Sequence, residues 1–121
     1  MRMVKAAIVG SRSFNDYEAM LRFLGEITHR EGFRIQTIIS GGASGADALA
    51  ERVAREFNKE LVVFPADWKR YGRRAGIIRN EDIIKACEVC FAFWDGQSKG
   101  TANDIELCKR YGKPCYICYF K

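Results

Sequence analysis

The segment Ile38–Ala54, IISGGASGADALAERVA, reads as a strand that ends in a glycine loop and restarts at once as a helix. Gly41, Gly42 and Gly45 supply the backbone freedom and close approach that such a passage needs. Beyond them Ala46, Leu49, Ala50, Val53, Ala54 and Phe57 recur at helical spacing and form one apolar stripe facing a core. Ser44, answered three residues later by Asp47, fits a capping box. Asp47 is therefore a structural cap first and a candidate ribose contact second. The amides of the first helical turn, with the helix dipole behind them, favour an anion. The spacing is neither G-x-G-x-x-G nor the Walker Gly-Lys-Ser/Thr pattern, so the standard NAD and ATP fingerprints are absent.

Outward from this segment the chain alternates strand-like and helix-like stretches five times. Val4 to Val9 is a short apolar run ending at Gly10. Asn15 or Asp16 then caps a helix with Tyr17, Met20, Leu21, Leu24 and Ile27 on its apolar face. Strands are expected at Ile35–Ile39, Leu61–Phe64, Val89–Trp94 and Cys115–Phe120, with further helices at Ala75–Ala86 and Thr101–Tyr111. Strands separated by amphipathic helices imply right-handed crossovers. The expected fold is α/β, a Rossmann-like three-layer sandwich around a mainly parallel five-stranded sheet. In such sheets ligands sit beyond the carboxyl ends of the strands. The loops with unusual chemistry, Gly10–Phe14, Ser40–Gly45, Pro65–Arg74 and Asp95–Gly100, all follow strands and should share that edge. Gly10, Ser11 and Arg12 accordingly join the candidate ligand contacts.

At 121 residues the chain is expected to be one domain, residues 1–121, large enough to bury a core. Hydrophobic residues make up 48% and charged residues 29%, a globular rather than a disordered balance. No apolar run approaches the roughly 20 residues that cross a bilayer, and MRMVKAAIVG lacks a cleavage site, so a cytoplasmic location without membrane contact is expected. The net charge of +5 weakly favours an anionic partner. Its distribution says more: Lys69, Arg70, Arg73, Arg74 and Arg79 cluster beside Trp68 and Tyr71. A charge run is most often a solvated face, but this one follows a strand and carries two aromatics suited to stacking on a base.

Ser98-Lys99-Gly100-Thr101 repeats the glycine-loop logic: Gly100 and Thr101 offer amides and a hydroxyl to a phosphate, and Thr101 with Asp104 could equally form a capping box. Arg79 can hold phosphate bidentately, with Asn80 beside it. The only histidine, His29, leaves no material for His-based triads, so acid–base work would fall to carboxylates. Five cysteines include Cys87-x-x-Cys90 and Cys115-x-x-Cys118. Cys115 and Cys118 lie three apart in a strand and point to opposite faces, so the two pairs are read as core residues, with no metal and no cofactor.

Together "VGSRSF", "ISGGASGAD", "FPADWKRYGRRAGIIRN" and "FWDGQSKGT" resemble, in order and spacing, the small SLOG-superfamily proteins of the YspA/YpsA-related type, from about Val9 to Cys118. That superfamily includes the lonely-guy phosphoribohydrolases and the DNA-processing protein A group. The resemblance implies a nucleotide-derived ligand across the glycine loops. Gly41, Gly42, Gly45 and Asp47 fall on the first glycine motif, Arg79 on the arginine before the phosphate loop, Gly100 and Thr101 on the Gly-Thr. Asp104 takes the place of the hydrolases' glutamate, with Glu106 two residues on, and Asp95–Lys99 stands where they carry Pro-Gly-Gly. The first expectation is a binding protein for a phosphorylated nucleotide or nucleotide-derived small molecule, a stand-alone sensor, carrier or sequestering protein and a homo-oligomer. The alternative is a nucleotide N-glycosidic hydrolase using Asp104 or Glu106. Single-stranded nucleic acid binding through Lys69–Arg74 ranks third.

Overall fold

The structure, a computed structural model, describes residues 1–121. Five strands, β1 (Arg2–Gly10), β2 (Phe33–Ser40), β3 (Glu60–Val63), β4 (Val89–Trp94) and β5 (Cys115–Tyr119), form one sheet in the order β3-β2-β1-β4-β5. Every pairing is parallel. The chain leaves β1 in one direction to build β2 and β3, then returns to build β4 and β5 on the other side. The strand order therefore reverses between β1 and β4, which opens a crevice beyond their carboxyl ends.

Helices α1 (Tyr17–Glu31) and α2 (Ala46–Glu56) cover one face of the sheet, and α4 (Ala75–Ala86) and α5 (Lys99–Tyr111) the other. The first face buries Val4, Ile8, Ile38, Phe91 and Phe93 against Met20, Leu24, Ala50 and Val53. The second buries Ala7, Val9, Ile39 and Ala92 against Ile83, Ile84 and Leu107. Alternate residues of β1 go to opposite faces, so the strand reads as a continuous apolar run. No helix is long and apolar enough to cross a membrane.

Asp16 caps α1 as expected, its carboxylate accepting from the Ala19 N–H at 3.0 Å. Two other caps differ from expectation. Gly45, at φ 72°, is the N-cap of α2, and it leaves Ser44 exposed outside the helix with no side-chain cap bond. A Cβ at Gly45 would run into the Arg12 backbone, so the tight passage is set by the β1 loop packed against it. Helix α5 begins at Lys99, two residues before Thr101, which buries Thr101 inside the first turn and leaves Ser98 as N-cap. The stretch expected as a loop after Pro65 also winds into a short helix, α3 (Trp68–Tyr71), and a 3-10 turn, Gly72–Arg74. Asp67 starts it by accepting from the Arg70 N–H at 3.1 Å.

Candidate functional site

The crevice between β1 and β4 holds a cleft of about 460 Å³, walled by Gly10–Ser13 after β1, Ala43 and Asp47 from the glycine loop and α2, Arg79 and Asn80 from α4, and Ser98, Gly100, Thr101 and Asp104 around the start of α5. A second cleft of about 340 Å³ adjoins it, bounded by Gly41–Ser44, Pro65, Ala66 and Trp68. Arg12, Ala43 and Arg79 belong to both walls. The two hollows lie side by side along the sheet edge as a groove in two parts, with Arg79 in the wall they share.

Arg79 is fixed from two sides. Its Nη1 donates to the Gly41 carbonyl at 2.7 Å and its Nε to Asn80 Oδ1 at 3.0 Å. Asn80 in turn donates from Nδ2 to Asn103 Oδ1 at 3.2 Å, tying α4 to α5. A Cβ on Gly41 would stand 2.6 Å from Arg79 Nη1 and 2.9 Å from Asp47 Oδ2, so glycine is what lets the guanidinium and the carboxylate pass the loop. Asp47 is not the partner of Ser44 in a capping box. Its Oδ2 accepts from the Ala43 N–H at 3.2 Å and braces the glycine loop from within. Ser40 adds a second brace, its Oγ donating to the Asp47 carbonyl and accepting from the Gly42 N–H, both at 3.3 Å.

Across the crevice the β1 and β4 loops are joined directly. Ser11 Oγ and Ser98 Oγ share a hydrogen bond of 2.8 Å, and the Ser11 N–H donates to the Phe93 carbonyl at 2.9 Å. Asp95 shapes the second loop by accepting from the Ser98 N–H at 2.7 Å and the Gln97 N–H at 2.9 Å, and these bonds hold its carboxyl below the usual carboxylate range. The loop delivers the first turn of α5, where Gly100 and Thr101 occupy positions whose amides lack an intrahelical partner. That helix end, the hydroxyls of Ser11 and Thr101, and the Arg12 and Arg79 side chains make the crevice an anion-accepting surface.

Two buried carboxyls face the same space. Asp47 is 7% exposed and Asp104 5% exposed. Burial pushes both above the ordinary carboxylate range, Asp104 well above it. For Asp47 the Ala43 amide and then Arg79 offset part of the rise; for Asp104 the charge of Asp47 adds to it and Arg79 again offsets part. Asp104 Oδ1 has no hydrogen-bond partner within the protein. A carboxyl held in this way is pushed toward its protonated form, the form that can donate a hydrogen bond to a ligand oxygen.

Of the residues expected from the sequence, Gly10, Ser11, Arg12, Asp47, Arg79, Asn80, Gly100, Thr101 and Asp104 come together in the first cleft, and Gly41, Gly42, Ser44 and Trp68 line the second. Gly45 lines neither and serves the turn. Tyr71 also lines neither, its ring lying 5.2 Å from the Arg70 guanidinium carbon, and Glu106 is exposed on the far side of α5. Sequence reasoning passed over Ser40, Asn103 and Ser98 as site residues. Ser98 carried a usable signal, a serine directly before a Gly-Thr helix start. The bracing by Ser40 and Asn103 exists only once the elements are packed.

A model of the YspA, cpYpsA-related SLOG family matches residues 4–71. The chain is 33% identical over 118 residues to the Gene 61 protein of Mycobacterium phage D29, an alignment covering 93% of this chain and 94% of that protein. Among solved structures it is similar to DNA processing protein A from Helicobacter pylori, with a TM-score of 0.64 at 20% identity over 98% of this chain, a protein described by its single-stranded DNA binding mode. It is likewise similar to DNA processing protein A from Streptococcus pneumoniae, with a TM-score of 0.70 at 17% identity over 97% of this chain. The chain spans 66% and 50% of those two proteins, and at such identities the likeness establishes a common fold. The family match runs from β1 through α3, over half of the chain, and so takes in the glycine loop together with its neighbours on either side; by that match the chain belongs to the YspA, cpYpsA-related SLOG family.

Proposed function

We propose that the chain binds a phosphorylated nucleotide or nucleotide-derived ligand along the groove and works as a sensor, carrier or sequestering protein, assembled as a homo-oligomer. The observation that carries this reading is the place of Arg79, anchored by Gly41 and Asn80 in the wall common to both clefts. A phosphate in the first cleft meets the start of α5, the Ser11 and Thr101 hydroxyls and the Arg79 guanidinium. The base then reaches the second cleft and stacks on Trp68, which is 55% exposed there. Asp104, pushed by burial toward its protonated form, donates to a ribose or phosphate oxygen instead of repelling it. Calorimetric titration with nucleoside mono- and diphosphates and dinucleotide-derived phosphates tests this. Wild type binds at least one of them, and Arg79→Met weakens that binding by roughly 10- to 100-fold, the loss of a charge-assisted contact. Absence of binding across the panel refutes the proposal.

Asp104 also favours a second reading, a nucleotide N-glycosidic hydrolase, because a buried carboxyl with an unpartnered oxygen lines the first cleft. There it would act on the leaving base as an acid or, once ionised, on the oxocarbenium-like transition state. Release of free base from nucleoside monophosphates that disappears in Asp104→Asn supports it, and release that persists in that variant removes the role. Single-stranded DNA binding is favoured by the exposed Lys69, Arg70, Arg73 and Arg74 beside Trp68 and by the likeness in fold to a protein described by its single-stranded DNA binding mode. It requires affinity that falls steeply with salt, and a flat response excludes it.

A further inference from the structure

We propose that Cys90, Cys108 and Cys115 form a three-thiolate site for a soft monovalent cation, cuprous copper. The three residues come from different elements: Cys90 from β4, Cys108 from α5 and Cys115 from β5. Parallel pairing sets Cys90 opposite Cys115, and α5 lays Cys108 over the pair. Their sulfur atoms all lie within 4.8 Å of one another. A trigonal site with metal–sulfur bonds of about 2.3 Å needs sulfur–sulfur separations of about 4 Å, so small side-chain rotations close the triangle. A single buried cysteine is ordinary core material. Three sulfurs converging from three elements on one point are a donor set.

The donor set selects the ion. Structural zinc sites are four-coordinate and tetrahedral, whereas only these three side chains of the metal-ligating types meet here. Soft thiolates without oxygen or nitrogen ligands select cuprous copper, and trigonal coordination suits it. The nearest other thiols do not join: Cys87 donates its S–H to the Ile84 carbonyl at 3.2 Å, and Cys118 packs on the opposite face of the sheet. The site is also reachable, since β5 is an edge strand and Cys115 is only partly buried. Binding displaces the thiol protons to solvent and leaves the copper in its cuprous state, so no electron is transferred.

The inference stands apart from the nucleotide reading. Its test is anaerobic titration of the reduced, metal-free chain with cuprous ion against a coloured cuprous chelator. One equivalent per chain is expected, with a thiolate-to-copper charge-transfer band in the near ultraviolet. Cys108→Ser and Cys115→Ser each lower the affinity at least about 100-fold, beyond the 10- to 100-fold typical of a change outside the ligand set. Cys118→Ser leaves it unchanged. Circular dichroism checks that each variant is folded, and Cys115→Ser, at the sheet edge, keeps the test decisive if the fully buried Cys90 tolerates no replacement. Failure to take up one equivalent overturns the assignment. So does uptake that survives both Cys108→Ser and Cys115→Ser, zinc held more tightly than copper, or a Cys108–Cys115 disulfide forming in place of uptake.

Discussion

Asp104→Asn is expected to stabilise the protein, and by more as the pH rises. The carboxyl is 5% exposed, and its Oδ1 has no partner. Burial, followed by the charge of Asp47, lifts it well above the ordinary range, against a partial offset from Arg79. In the unfolded chain the same group titrates near pH 3.9. Below that value both states are protonated, and the residue adds no pH dependence. Above it the unfolded chain has released the proton that the folded chain still holds. Folding then becomes less favourable with each unit of pH, by up to about 1.4 kcal/mol for one proton, until the folded-state value is passed. Asparagine removes this proton from both states. The variant-minus-wild-type difference in unfolding free energy should therefore be flat below about pH 4 and rise above it with a slope approaching about 1.4 kcal/mol per pH unit. Urea unfolding followed by circular dichroism at intervals from pH 4 to pH 8 measures the difference. A difference that stays level through this range, or one that falls, refutes the burial of an unpartnered acid at this position.

Three further substitutions probe the second cleft and the turn beside it. Gly41→Ala places a methyl against the tip of Arg79 and the Asp47 carboxylate; because the arginine tip can move, the chain should fold with a loss of about 1–3 kcal/mol in urea while phosphate-ligand affinity in calorimetry drops to the level of Arg79→Met. Gly45→Ala combines a φ of 72° with a collision against the Arg12 backbone, and a loss of about 2–5 kcal/mol is expected, read as a fall in the urea midpoint. Trp68→Ala, at an exposed site, should move stability by no more than about 0.5 kcal/mol yet weaken ligand binding by about 1–3 kcal/mol if the indole carries the base.

The layers of the fold were legible because they follow from hydrophobic pattern alone. The apolar runs of β1 and β4 mark strands buried on both faces, and the stripes of α1 and α2 mark helices against them, although Phe57, expected in the α2 stripe, lies 53% exposed past the helix end. The caps were less legible for a physical reason. Ser44-x-x-Asp47 and Thr101-x-x-Asp104 both satisfy the local spacing of a capping box, but the start of each helix is set by contacts from elsewhere. The Arg12 backbone fixes the turn at Gly45, and the bonds of Asp95 to the Gln97 and Ser98 amides fix the turn before Lys99. Trp68 and Tyr71 stand three apart on one helical turn and so are neighbours, yet only Trp68 reaches the second cleft, a difference that the spacing does not carry. The thiol cluster has a similar origin. C-x-x-C spacing pairs Cys115 with Cys118, whereas the strand order pairs Cys115 with Cys90 and adds Cys108, which belongs to neither spacing.

Binding of an anion and stabilisation of a cationic transition state ask opposite things of Asp104. A ligand phosphate or ribose oxygen is best met by the protonated acid, which donates, and an oxocarbenium-like transition state is best met by the carboxylate, which carries charge. Burial and the charge of Asp47 both push toward the protonated form, and only Arg79 opposes them. A phosphate brought to Arg79 would weaken that opposition by occupying the guanidinium and would add negative charge beside the acid. Ligand and proton therefore favour each other in this groove, as linkage requires of two groups that stabilise one another's bound form. The surroundings of Asp104 push it toward the form that would donate a hydrogen bond to a bound anion, which is what the proposed binding role asks of it.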